Sequence, residues 1–427
     1  MLVHPRSDNS LAGGVSLSGR AGFARLSLSV VASLTPPNWQ VRIHDARRSP
    51  PPYDEPVDLV GVTAFTSEAP SAYEIAAAYR KRGIKVVMGG VHASALPEEA
   101  LQHVDAVVIG EAEEAWPRLL ADWEAGRLQQ RYMADRLVDL VGLPLPRRDL
   151  LDPSLYHHFN TMYATRGCPF DCEFCTVSSF FGRECRTRPV AEVVAEASSF
   201  RSRECFFVDD NLVGRPDYAK ELFRALIPLK LHWGTQVSIT FARDPELVEL
   251  FARAGGRYAL IGFESLSPDN LKAMNKAWNS PNAYAEAVAR IRRAGIGIVG
   301  SFIFGLDGDD SSVFRRVADF ITANHIDAAQ FHILTPFPGT RLFAKMDAEG
   351  RITSRDWSRY HTGDVIIRPA GMTATELADG YAWAWHETYR WPNILRRLAG
   401  PLAGLPARLA LNLSYRRKAL KVASRQA

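Results

Sequence analysis

Three cysteines stand close together at Cys168, Cys172 and Cys175, in the run Cys-Pro-Phe-Asp-Cys-Glu-Phe-Cys. Thiolates are soft ligands that favour zinc and iron–sulfur clusters. Three at C-x3-C-x2-C spacing can wrap one corner of a 4Fe–4S cluster. Full protein ligation uses four cysteines, so a fourth iron would stay open to a substrate or cofactor. The competing reading is a structural zinc site with Cys185 or His157 as fourth ligand. Zinc sites usually pair their ligands at two separated places, and the sequence has no second pair. The chain has five cysteines, all within one short region, which is not a disulfide framework. Cys205 precedes an apolar strand and reads as a small buried hydrophobe. Cys185, after Phe181-Gly182-Arg183-Glu184, is a bystander or a catalytic thiol. No acid–base triad is legible, and no catalytic side chain is assigned.

Strand–helix alternation must hold those sulfurs on one loop. From Thr161, strand patterns at 161–165, 205–208, 232–237, 258–263, 298–304 and 328–334 are separated by amphipathic helical patterns, among them 217–227, 245–254, 283–294 and 312–324. Six such units are too few for a closed eight-unit barrel, so a partial (β/α)6 TIM-type barrel is predicted, its site at the carboxyl ends of the strands. Upstream, short strands at 41–43, 58–63, 85–88 and 106–109 alternate with helical stretches such as 69–82, which predicts an open, Rossmann-like parallel sheet. Ligands of such sheets sit beyond the carboxyl ends of the strands. Here those ends carry Thr66, Ser67, Gly89, Gly90, His92, Gly110 and Glu111. Ordinary sheet-end turns are the alternative. The expected division is an α/β domain over 1–125, a Pro-rich linker over 126–158, the partial barrel over 159–344, and a mostly helical C-terminal region over 345–427. The segment Leu334-Thr-Pro-Phe-Pro-Gly-Thr340 either shapes the barrel mouth or is a plain tight turn.

The chain has 427 residues, 47% hydrophobic and 23% charged, as in ordinary globular proteins. After Glu387 come nine Lys or Arg and no acid, leaving 42 basic against 47 acidic residues in the rest. A mildly acidic body argues against nucleic-acid binding. The N-terminus lacks a signal-peptide pattern, and no run has the ~18 apolar residues of a membrane span. A cytoplasmic protein is expected. The tail carries Trp391, Ile394, Leu395, Leu398, Leu402, Leu405, Leu409 and Leu413 among basic residues. It is either an interfacial amphipathic segment making peripheral membrane contact or a helix packed on the barrel.

The cysteine motif after the first barrel strand resembles that of the radical S-adenosylmethionine (SAM) superfamily. The α/β domain ahead of it resembles the cobalamin-binding domain of that superfamily's cobalamin-dependent branch, which includes the hopanoid methylase and the anaerobic magnesium-protoporphyrin cyclase. The resemblance implies that Cys168, Cys172 and Cys175 ligate three irons while SAM chelates the fourth. It places Phe174 against the adenine and Asp209-Asp210-Asn211 near the SAM amino group, where a helix N-cap is the alternative. Gln236 and Ser238 face the same mouth, Glu264 meets the ribose, and Gly300 to Gly305 let the backbone approach the adenine. Cobalamin would rest on the seven sheet-end residues named above. The D-x-H-x-x-G cobalt-ligand motif of many cobalamin domains is absent.

The implied activity is methyl transfer from cobalamin to an unactivated carbon of a small hydrophobic metabolite. A 5′-deoxyadenosyl radical first removes hydrogen from that carbon, with electrons from a donor such as flavodoxin or ferredoxin. The cofactors carry the chemistry, and the protein positions them and excludes water. Radical ring formation or oxidation with the same cofactors is the first alternative. A non-enzymatic cobalamin or redox sensor is the remote one.

Overall fold

A computed structural model describes residues 1–7, 21–399 and 404–423. The chain begins with β1 (Leu2–His4), followed by β2 (Ala21–Phe23), β3 (Ile43–Asp45), β4 (Leu59–Thr63), β5 (Lys85–Gly89), β6 (Ala106–Ile109) and β7 (Arg131–Met133). All but β2 form one six-stranded sheet in the order β3-β1-β4-β5-β6-β7. Its pairs are parallel throughout. Helices cover both faces, so β4 to β6 read as continuous apolar runs. Two strands differ from the sequence reading. β1 lies inside the sheet, fully buried, although its three residues are too few to show a period. β7 pairs with β6 from within the stretch read as a linker.

The second half opens with β8 (Tyr156–His158), paired to β2, and β9 (Thr161–Met162). The hairpin of β10 (Thr165–Arg166) and β11 (Arg186–Thr187) brackets the cysteines. Then come β12 (Glu204–Phe207), β13 (His232–Val237), β14 (Gly256–Glu264), β15 (Gly297–Phe304) and β16 (Ala328–Ile333). The parallel order β16-β15-β14-β13-β12-β9 is the six-stranded partial barrel. Its outer layer is aromatic: Phe263 and Phe302 stack at 5.3 Å, and both meet Phe320 of the covering helix Val313–Ala323. Alternation then turns Gln236 inward between buried Thr235 and Val237.

The C-terminal tail takes the packed alternative. Helix Leu405–Ala423 lies against helix Ala374–Thr388 and β16. Arg408 pairs with buried Asp327 at the foot of β16, and Tyr415 bonds Gln330 midway. Arg397 is fully buried and donates to Asn412 Oδ1 at 2.7 Å. Part of the basic side is thus spent on the interior, while Trp391 and Leu395 are exposed. Leu402 lies outside the described residues. Among the described residues no helix is long and apolar enough to cross a membrane.

The carboxyl ends of the two sheets face each other. Helix Val91–Ala95, leaving β5, packs on helix Thr176–Phe181, which leaves the cysteine loop. Segment 334–340 adds to this seam. Thr340 caps helix Arg341–Ala348 by accepting from the Phe343 amide at 3.1 Å. Gly339 sits where a Cβ would be 3.1 Å from Ala95.

Candidate active site

The cysteine loop is held by three sets of bonds. Gly167, at φ +82°, makes the turn into Cys168, and a side chain there would run into the Glu184 carbonyl oxygen. Asp209, at the end of β12, accepts from the Ala164 amide at 3.1 Å, the Thr165 amide at 2.5 Å and the Thr165 hydroxyl at 2.7 Å. The 268–279 segment clamps the loop from the far side. The Glu173 amide donates to the Met274 carbonyl at 3.1 Å, Asn275 Nδ2 to the Asp171 carbonyl at 2.7 Å, and Phe170 stacks on Trp278 at 3.6 Å.

All three cysteines are half-buried. Burial pushes Cys172 up to about 11 and Cys175 up to about 12; the Lys276 ammonium opposes the rise at Cys172. Thiols so buried ionise when more positive charge arrives, which a cluster of iron ions supplies. Among the described residues no three His, Cys, Asp or Glu side chains converge on a single metal-ion position. Three sulfurs spread around one loop suit a cluster whose ligands bind different irons better than one zinc ion.

The expected SAM contacts divide. Phe174 is half-buried beside the cysteines, with Lys276 Nζ 5.9 Å from its ring centre. Gln236 is exposed on the inner face, and Asp210, beside the loop, is pushed up to about 6 by burial. Asn211 bridges: its Nδ2 is 3.7 Å from Cys168 Sγ, and its Oδ1 accepts from the Ser238 amide at 3.0 Å. The Ser238 hydroxyl is paired with Thr240 at 2.6 Å.

Four of the expected SAM positions have protein neighbours in the structure. Asp209 is 1% exposed and its carboxylate accepts from the loop backbone, which positions the motif. Glu264, at φ +62°, pairs with Lys276 Nζ at 2.7 Å, not with open space. Gly300 shares the outer face with Phe302, 3.0 Å from where its Cβ would be, and Gly305 turns beneath Leu377. By alternation the inner face of β15 belongs to Val299, Ser301 and Ile303.

On the opposing sheet, a shallow cleft runs up to the strand ends, lined by Leu2, Leu28, Gly61, Gly89, Gly110 and Trp116 among others. A side chain at Gly110 would project into open space and one at Gly89 would touch Val108, so glycine at these two ends keeps the approach to the sheet open for a cofactor. Thr66 is buried and Ser67 half-buried in the turn after β4. Two further candidates are otherwise engaged. His92 is fully buried, its Nε2 2.9 Å from the Tyr73 hydroxyl. Tyr73 and Trp357 both donate to Glu99 Oε1, at 2.9 and 2.7 Å, which ties the two halves together. Glu111 bridges the seam more strongly. It accepts from Arg166 at 2.8 Å and Arg186 at 2.8 Å, both on the hairpin around the cysteines.

Sequence reading missed Lys276, Arg166, Arg186 and Glu113, the last 2.6 Å from Arg166. The available signal was weak: Arg166 lies two residues before Cys168, and Lys276 lies between Met274 and Trp278. Cys185 is buried near Gly214 beside the loop, and Cys205 lies in the barrel core.

The comparisons agree with this geometry. The Radical SAM superfamily model matches residues 162–321, and the B12 binding domain model matches 27–120. The bacteriochlorophyllide d C-12(1)-methyltransferase of Chlorobaculum tepidum is 33% identical, over 94% of this chain and 89% of that one. The bacteriochlorophyllide d C-8(2)-methyltransferase of the same organism is also 33% identical, over 89% and 88%. The structure of the radical SAM methyltransferase TsrM from Kitasatospora setae, with cobalamin and an iron–sulfur cluster bound, aligns with a TM-score of 0.67 at 18% identity. The alignment covers 82% of this chain and 77% of that one, a likeness of fold.

Proposed function

Because this chain belongs to the radical SAM superfamily, as a cobalamin-dependent methyltransferase, we propose that it methylates an unactivated peripheral carbon of a chlorophyll-type tetrapyrrole. The observation that carries the substrate class is one-third identity, over nearly the whole chain, to two methyltransferases of bacteriochlorophyllide d. The rim of the seam supports it. Phe65, after β4, is 54% exposed; Met133, ending β7, is 56%; and Leu137, beside Gly182 of the cysteine loop, is 42%. These residues sit at or after strand ends or beside the cysteine loop, where an apolar partner could meet them.

In this reading Cys168, Cys172 and Cys175 hold three irons, and Phe174, Asp210, Asn211 and Gln236 lie around SAM. The cleft at Gly89, Gly90 and Gly110 holds cobalamin. When bound, these groups supply the radical chemistry and the methyl group. The chain's own work is positional. Asp209 fixes the loop through backbone amides, and Glu111 with Arg166 and Arg186 holds the two carboxyl-end mouths together. The apolar rim excludes water. An external electron donor serves the cluster.

A panel assay tests the substrate. Reconstituted enzyme with SAM and reductant is given a chlorophyllide, a protoporphyrin ester or a pentacyclic triterpene, and products are weighed by mass spectrometry. The chlorophyllide is expected to gain one methyl group. A methylated triterpene beside an unchanged chlorophyllide would overturn the assignment.

A further inference from the structure

Lys276 is the buried cation nearest the cysteine loop, and much local structure is spent on holding it. It is 6% exposed, and its ammonium pairs with Glu264 Oε1 at 2.7 Å. The ring centres of Trp278 and Phe174 lie 5.2 and 5.9 Å from it. Phe174 is the residue between Cys172 and Cys175 that directly precedes the last sulfur. Both ends of the pair sit on unusual backbone. Glu264 is at φ +62°, and Asn275, directly before Lys276, is at φ +55°. At Glu264 such a conformation costs about 1–3 kcal/mol and persists only where the surroundings impose it, whereas Asn275 is the left-handed cap that ends helix Pro268–Ala273. Asn275 also anchors the Asp171 carbonyl. A buried carboxylate on strained backbone, a helix cap and a stacked tryptophan thus fix one ammonium against one loop.

A fold does not need a charge there. A buried ion pair seldom stabilises more than an apolar pair of the same shape. Its field, however, acts on whatever the cysteines hold. Cluster reduction potentials respond to nearby charge and burial, and the low local dielectric leaves the ammonium weakly screened.

We propose that Lys276, positioned by Glu264, makes the cluster easier to reduce. In this step one electron passes from a low-potential donor of the flavodoxin or ferredoxin class to the oxidised cluster. The donor is oxidised by one electron, the cluster gains one negative charge, and no proton moves. The ammonium favours the added charge, and Glu264 partly offsets it while holding it in place. The inference depends on the cluster alone, so it stands whichever substrate is methylated.

The test is a redox titration of the reconstituted holoenzyme without SAM or substrate, followed by electron paramagnetic resonance, with iron counted in each sample. Lys276→Met is expected to lower the reduction equilibrium constant about tenfold, ~59 mV more negative for one electron. Lys276→Arg keeps the charge and moves it less. Glu264→Gln removes the offset and moves the potential in the positive direction. Opposite shifts at unchanged iron content are not what a merely structural pair gives. If Lys276→Met does not load iron, Glu264→Gln carries the test, and a wild-type potential there overturns the proposal. Loss of iron in both variants would make the pair structural and also overturn it. So would a wild-type potential in Lys276→Met accompanied only by weaker SAM binding.

Discussion

Replacing Cys172 with alanine is expected to remove the iron–sulfur chromophore and both SAM cleavage and methyl transfer, with the chain still folded. The loop around Cys172 is held by bonds that do not involve its sulfur: the Glu173 amide to the Met274 carbonyl, Asn275 Nδ2 to the Asp171 carbonyl, and the Thr165 amide to the Asp209 carboxylate. Truncation removes few packing contacts, because the residue is half-buried. A cluster held by three protein sulfurs has none to spare. Loss of an outer-shell partner costs metal sites about 10–100-fold, so loss of a ligand should cost more than about 100-fold in turnover. Visible absorbance, iron count and 5′-deoxyadenosine release after anaerobic reconstitution check this. The thermal midpoint should stay near the wild-type apoprotein.

Gly90→Val should abolish cobalamin retention and leave SAM cleavage standing. Gly90 sits at φ +91°, and a Cβ there would lie 2.6 Å from Thr63 Oγ1 and 3.0 Å from the Ala64 carbonyl oxygen. A β-branched residue is poorly tolerated at positive φ, and its bulk would spread the ends of β4 and β5, where the cleft opens. Strain of about 1–3 kcal/mol, relieved in the free protein by moving the β4 and β5 ends apart and restored on binding, weakens cofactor affinity about five- to 150-fold at ~1.4 kcal/mol per decade. Cobalt per chain after desalting should fall accordingly, and methylated product with it. The cysteine loop lies across the seam, so 5′-deoxyadenosine should still form. Retained cobalt in this variant would move cobalamin away from the β4–β5 cleft.

Local patterns were legible, and long-range pairings were not. β13 falls on the expected residues, 232–237, because Trp233, Thr235 and Val237 alternate with His232, Gly234 and Gln236. The cysteine motif is contiguous, so its spacing, together with the strand–helix context, favoured an iron–sulfur cluster over zinc. β1 and β7 have three residues each and draw their order from neighbouring strands. The positioning role of Asp209 was not legible because a carboxylate at a strand end looks the same facing a ligand or facing two backbone amides. Which it faces depends on a loop 44 residues earlier. Gly300 shows why residue type alone does not fix a side. A glycine-containing run shows that a backbone can be approached, but strand register decides from which side, and here it is the phenylalanine layer. Lys276 had no motif around it, since its partner Glu264 is 12 residues away and meets it across the helix Pro268–Ala273 and its cap. The tail's basic side was visible, but not that Arg408 is anchored to Asp327.

The most direct test of cobalamin-dependent radical methyl transfer uses SAM with a trideuterated methyl group, the reconstituted enzyme, a low-potential reductant and a chlorophyllide substrate. The account predicts a product in which one hydrogen is replaced by a trideuteromethyl group, with 5′-deoxyadenosine and S-adenosylhomocysteine formed in equal amounts. A product without the label, or 5′-deoxyadenosine without S-adenosylhomocysteine, would contradict it.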